Sequence, residues 1–218
     1  MTQPGVYFTL SAPFLKIIGL YSNVAEGTGA GVIADSGVVG QEQKQFLIAQ
    51  LKQAKSFPGA VVLAVHHPPF KMSEVHNPSP DMLTDIDDAS KQAGFYPDAV
   101  MSGHAHLCER YTRHLGGKQV PFAVAGCGGY LSLAGLKNHA APPPHPPVEG
   151  KDRDGNCVVL ENYPGQTFGL LHPSVSKDIL SCEFLGARDQ HSLGKTLDRF
   201  TLDLSKQNLT GFRRPTAS

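Results

Sequence analysis

The apolar positions of this chain change their period about halfway along it. Val6 to Ser22 reads VYFTLSAPFLKIIGLYS, dense in β-branched and aromatic residues and broken at Ala12-Pro13, which predicts two strands of a hairpin. The Gly-rich stretch Glu26 to Gly40 has no periodicity and is expected to be loop. From Gln41 to Ser56, Leu47, Leu51 and Ala54 line one helical face beside Phe46 and Ile48, with Gln and Lys opposite. Pro58-Gly59 stops that helix. Ala60 to Val65, AVVLAV, is too short for a helix and β-branched enough to be a strand buried on both faces. A second helix is predicted to start at Ser79-Pro80, bury Met82, Leu83, Ile86 and Ala89, and stop at Gly94. Pro97 to Gly103, PDAVMSG, follows as another short strand.

Strand, helix, strand with a helix in front is βαβ alternation, which requires parallel strands covered by helices. Ligand sites in such sheets lie at the carboxyl ends of the strands. After Gly103 the pattern turns to strands. Glu109 to Gly126 reads as a hairpin around Gly116-Gly117, and TFGLLHP, DILSCEFLG and TLDRFTLDL read as further strands of an antiparallel sheet. The expected class is therefore α/β. Asn138 to Asn156 is Pro-rich and polar and is expected to be a long surface loop, and the chain from residue 209 a frayed tail.

Composition narrows the function classes. Lys plus Arg and Asp plus Glu both total 19, so no net field draws the chain to nucleic acid or an anionic membrane. No apolar segment approaches the length of a bilayer span. Neither a nucleic acid nor a membrane is expected as a partner. Cys108, Cys127, Cys157 and Cys182 are scattered, with no Cys-x-x-Cys pair, which reads as buried, reduced thiols and leaves the compartment open.

The chemistry lies in the histidines. The apolar run at Ala60 ends on His66 and His67 and then two prolines; the run at Ala99 ends on Gly103, His104, Ala105 and His106. One histidine at a strand end is ordinarily a hydrogen-bonded polar residue. Two neighbouring strands that each end on histidines bring imidazoles together at one sheet edge, a donor set for zinc, iron or manganese. On an extended chain His104 and His106 project to the same side, and with His66 they make three candidate metal ligands.

VHHPPF followed by SGHAHLCERY resembles the last two metal-binding blocks of the calcineurin-like metallophosphoesterases, most closely the purple-acid-phosphatase branch. GQEQKQFLIAQLKQA, VPFAVAGCGGY and TLDRFTLDL are similar to the flanking helix, Gly-rich turn and closing strand of that family. The resemblance implies the C-terminal part of a four-layer α-β-β-α sandwich with mixed and antiparallel sheets, spanning residues 1–208. It implies His66 and His104 as ligands of one metal, His106 as a ligand of a second, His67 as substrate-binding and His76 as a catalytic residue at the substrate. Glu109 and Arg110 would be structural. Gly126, Gly128 and Gly129 would approach a phosphate or simply form a tight turn.

The family pattern opens with Asp-x-His, Gly-Asp and Gly-Asn-His blocks, which belong ahead of Val6 and have no counterpart here. Asp189-Gln190-His191 spells Asp-x-His by chance, for no Gly-Asp follows it. The implied activity is hydrolysis of small phosphate esters by two Fe, Zn or Mn ions, impaired in this chain alone. The alternatives are a non-catalytic regulatory or partner fragment holding at most one metal, and a structural zinc site. A metallo-β-lactamase-like hydrolase needs His-x-His-x-Asp-His, and Cys108 and Glu109 stand after His106 instead. The missing strands imply an apolar face open to self-association.

Overall fold

The computed structural model describes residues 1, 5–25, 37–72, 77–129, 132–135, 145–189 and 192–210. Outside them lie His76, most of the Gly-rich stretch, part of the Pro-rich stretch, Gln190-His191 and the end of the tail from 211.

β1 (Phe8–Ala12) and β2 (Leu15–Gly19) pair antiparallel as the expected hairpin. Two short strands, β3 (Val24–Ala25) and β4 (Gly37–Val38), pair with each other as a separate sheet, so the stretch expected as loop carries a strand near its end. α1 (Gln41–Ala54) buries Leu47, Ile48, Leu51 and Ala54 as its periodicity requires. β5 (Ala60–Ala64) follows. α2 (Pro80–Ala93) has the predicted ends: the Ser79 hydroxyl accepts from the Met82 N–H at 3.2 Å, Pro80 opens the first turn, and Gly94 closes the helix at φ 67°. β6 (Ala99–Ser102) completes the βαβ unit.

β7 (Cys108–Leu115) and β8 (Lys118–Ala125) form the hairpin at Gly116-Gly117. β9 (Val148–Lys151) and β10 (Cys157–Asn162) extend the same sheet. β11 (Gly169–Val175), β12 (Ile179–Asp189), β13 (Ser192–Asp203) and β14 (Asn208–Thr210) form a second sheet. The molecule is α/β: a mixed eight-stranded sheet ordered β1-β2-β5-β6-β8-β7-β10-β9, parallel from β2 through β8, and a four-stranded antiparallel sheet ordered β11-β12-β13-β14.

β5 shows why the layers stack. Val61 and Leu63 point to one side, where Leu47 and Leu51 of α1 and Met82 and Ile86 of α2 close the main core. Ala60 and Val62 point to the other, with Ala99, against Leu180, Cys182, Phe200 and Leu202 of the four-stranded sheet. A strand buried on both faces has no room for polar alternation, which is what its sequence displays. The four cysteines are free thiols, three of them buried.

Two expectations need correction, and one strand was not anticipated. The Pro-rich stretch is not loop throughout, because β9 runs inside it, paired with β10. β10 itself went unpredicted. The chain does not fray at residue 209: β14 carries the second sheet through Thr210, with Leu209 buried and its N–H donating to Gln119 Oε1 at 2.7 Å.

Candidate metal centre

The register of the parallel strands builds the site. Gly19 of β2, Ala64 of β5, Met101 of β6 and Ala123 of β8 form one row across the sheet. Three residues further along each chain stand Ser22, His67, His104 and Gly126. Backbone bonds continue the pairing past the strand ends, with the Val65 N–H donating to Met101 O at 3.0 Å and the Gly103 N–H to His66 O at 3.1 Å. The carboxyl edge of the sheet thus delivers these groups side by side, as expected for an α/β fold.

One nitrogen from each of His66, His67 and His104 lies within 4.8 Å of the other two. His104 Nδ1 and His66 Nε2 are 3.0 Å apart, and the His67 ring stands 4.5 Å, centroid to centroid, from that of His104. His66 is exposed, His104 half-buried and His67 buried. Two imidazole nitrogens on one tetrahedral ion, each at ~2.0–2.1 Å, stand ~3.3 Å apart. The His66–His104 pair therefore needs only a few tenths of an ångström of opening, and the loss of one shared proton, to accept a cation. The donor set fits a first-row divalent metal. No carboxylate joins this group among the described residues.

His106 departs from expectation. The loop from Gly103 to Leu107 is not extended: His104 at φ 63° and His106 at φ 52° both occupy the left-handed region, and the Ala105 N–H turns back to Gly103 O at 2.7 Å. Ala105 and Leu107 point inward at 0% exposure, with the two histidines half-buried. His106 does not join the three clustered nitrogens; its carbonyl accepts from the Ala134 N–H at 3.0 Å. Left-handed backbone costs about 1–3 kcal/mol for a residue with a side chain, and such strain concentrates at functional sites. Histidine is one of the residue types that tolerates it best. His76 lies outside the described residues.

The neighbours hold this arrangement in place. Gln43 of α1 clasps Tyr21, its amide oxygen accepting from the backbone N–H and its amide nitrogen donating to the backbone carbonyl, each at 2.8 Å. That clasp sets the next residue, Ser22, whose hydroxyl lies 3.0 Å from His67 Nδ1. Beyond the two prolines, the Met72 N–H donates to Glu109 Oε1 at 3.0 Å, and Tyr111 donates to Glu109 Oε2 at 3.1 Å. Burial pushes the Glu109 carboxyl up to about 7, against the opposing pull of the Met72 N–H, the Tyr111 hydroxyl and Lys71. Arg110 crosses between the sheets to Asp198, Nε to Oδ2 at 2.6 Å and Nη2 to Oδ1 at 3.0 Å. Both residues are buried and hydrogen-bonded within the fold. Ser22 and Asp198 carried no sequence signal of their own; the row through Gly19 and Ala64 is what exposes Ser22.

No protein-family model matches the sequence, and no curated protein matches it. Among solved structures, the chain is similar to one described as GAP50, the anchor in the inner membrane complex of Plasmodium, at 12% identity and a TM-score of 0.44. The match covers 89% of this chain and 55% of that one, so the chain spans about half the length of that structure.

Proposed function

We propose that this chain is a metal-binding portion of a metal-dependent phosphoesterase of the calcineurin-like type, with His66 and His104 holding the ion. One observation carries the reading: two histidines from separate strands meet at 3.0 Å on the carboxyl edge of a parallel sheet. VHHPPF and SGHAHLCERY supply those same two residues. Two sheets face to face with helices on one outer side support the finer assignment to the C-terminal part of a four-layer sandwich. A bound ion would polarise a phosphoryl oxygen and lower the pKa of its water. The protein's part is to orient: the strand ends fix His66 and His104, and the strained loop turns His104 toward its partner.

A second reading, a non-catalytic fragment with one metal at most, is favoured by the absence of a carboxylate from the histidine group among the described residues and by the separate position of His106. On either reading, exposed Leu10 and Phe14 on the edge hairpin support a self-associating face.

Metal content measured with hydrolysis of a chromogenic phosphate ester, before and after His104→Ala, separates the readings. Bound metal with a turnover abolished by the substitution supports the phosphoesterase. One metal or none, without turnover, supports the fragment, and no bound metal overturns the phosphoesterase.

A further inference from the structure

We infer that Ser22 locks His67 in the tautomer protonated at Nε2, so that His67 is a hydrogen-bond donor to an oxygen ligand at this site and not a third metal ligand. The part concerning an oxygen ligand rests on the metal reading above; the tautomer does not.

The Ser22 hydroxyl is buried at 1% exposure and has three polar neighbours among the described residues. The backbone N–H of His66 reaches it at 3.2 Å and that of His67 at 3.1 Å. Each is a donor, and a hydroxyl has two lone pairs to receive them and one proton to give. The third contact, 3.0 Å to His67 Nδ1, must then be the hydroxyl donating to a bare ring nitrogen. A neutral imidazole bare at Nδ1 carries its proton on Nε2.

The consequence is a division of labour among three rings that proximity alone would treat alike. A metal needs a lone pair. The Nδ1 lone pair of His67 is taken by Ser22, and Nε2 carries a proton. His66 and His104, linked to each other at 3.0 Å, share a proton that a cation can displace. The His67 ring stands 4.5 Å, centroid to centroid, from that of His104, and an Nε2–H on it is a donor of the type that fixes a phosphate or a metal-bound water. Ser22 is a positioning residue, acting through His67.

The test is long-range proton–nitrogen correlation of the histidine rings in the full chain, free of metal, then with zinc ion, then with zinc and inorganic phosphate. The expected metal-free spectrum has His67 Nδ1 unprotonated and Nε2 protonated. Zinc is expected to move the ring nitrogens of His66 and His104 and to leave the His67 tautomer unchanged. Ser22→Ala should release the tautomer and weaken phosphate binding to the zinc-loaded chain about tenfold. Ser22→Thr, which keeps the hydroxyl, should restore both and guards against a folding defect in the alanine variant. A proton on His67 Nδ1 in the metal-free chain, or direct ligation of zinc by His67, overturns the inference. Failure of zinc to bind overturns the proposed function, and the metal-free spectra then decide the tautomer alone.

Discussion

A Cβ placed on Gly126 would stand 2.7 Å from the backbone nitrogen of His106 and 3.2 Å from that of Ala105. Gly126 also donates its N–H to Leu107 O at 2.9 Å, so the turn after β8 and the histidine loop are packed backbone to backbone. The glycine is needed for closeness and not for an unusual φ. Gly126→Ala is expected to push the loop away from the sheet edge, destabilise the fold by about 1–3 kcal/mol and leave it folded. Because His104 rides on that loop, zinc affinity should fall about tenfold or more. Denaturant melts with a zinc titration check this, and unchanged affinity would contradict the packing argument.

The Arg110–Asp198 pair ties β7 of one sheet to β13 of the other, with both side chains at 7% exposure or less. Removing one partner strands a buried charge, so Arg110→Ala or Asp198→Ala should each lose about 3–5 kcal/mol. Arg110→Met combined with Asp198→Leu should recover much of that loss, because no charge is left unpaired. Urea unfolding of the three variants tests this; a double variant as unstable as the sum of the singles would refute it.

Local signals were legible wherever one segment decides its own structure. Ser79, Pro80 and Gly94 marked the ends of α2 because a cap, a fixed φ and a left-handed residue act within a single turn. The apolar run into His66 marked β5 because burial on both faces leaves no polar positions. What depends on partners distant in sequence was hidden. β9 has the mostly exposed sequence VEGK, with no alternation to read, and is a strand because β10 offers it an edge. His106 was placed beside His104 on the assumption of an extended chain, and the two left-handed residues of the loop undo that spacing. Ser22 became visible only once the row through Gly19, Ala64 and Met101 was known.

The two histidines of SGHAHL should behave differently under substitution. His104 sits 3.0 Å from His66, whereas His106 is outside the clustered nitrogens. His104→Ala leaves one ligand of the pair and should weaken zinc binding by ~100-fold or more. His106→Ala should change it by no more than about threefold. Isothermal titration with zinc ion reads both. Equal losses would mean that His106 swings into the site when metal arrives.

Glu109 should make stability fall with rising pH. Its carboxyl is fully buried, and its folded value of about 7 stands above the 4.5 of an unperturbed glutamate. Between those values the unfolded chain has already released the proton that the folded chain still holds. Stability from this group is therefore complete below about pH 4.5 and is lost as pH rises through about 7. The difference is on the order of 3 kcal/mol, at about 1.4 kcal/mol per unit. Glu109→Gln keeps an oxygen for the Met72 N–H and has nothing to titrate. Urea melts of both proteins from pH 4.5 to pH 8 should show the variant gaining on the parent across that window by a few kcal/mol. A difference that stays constant with pH would mean that Glu109 is already ionised in the folded protein, held by Lys71, Tyr111 and the Met72 N–H more tightly than its burial opposes.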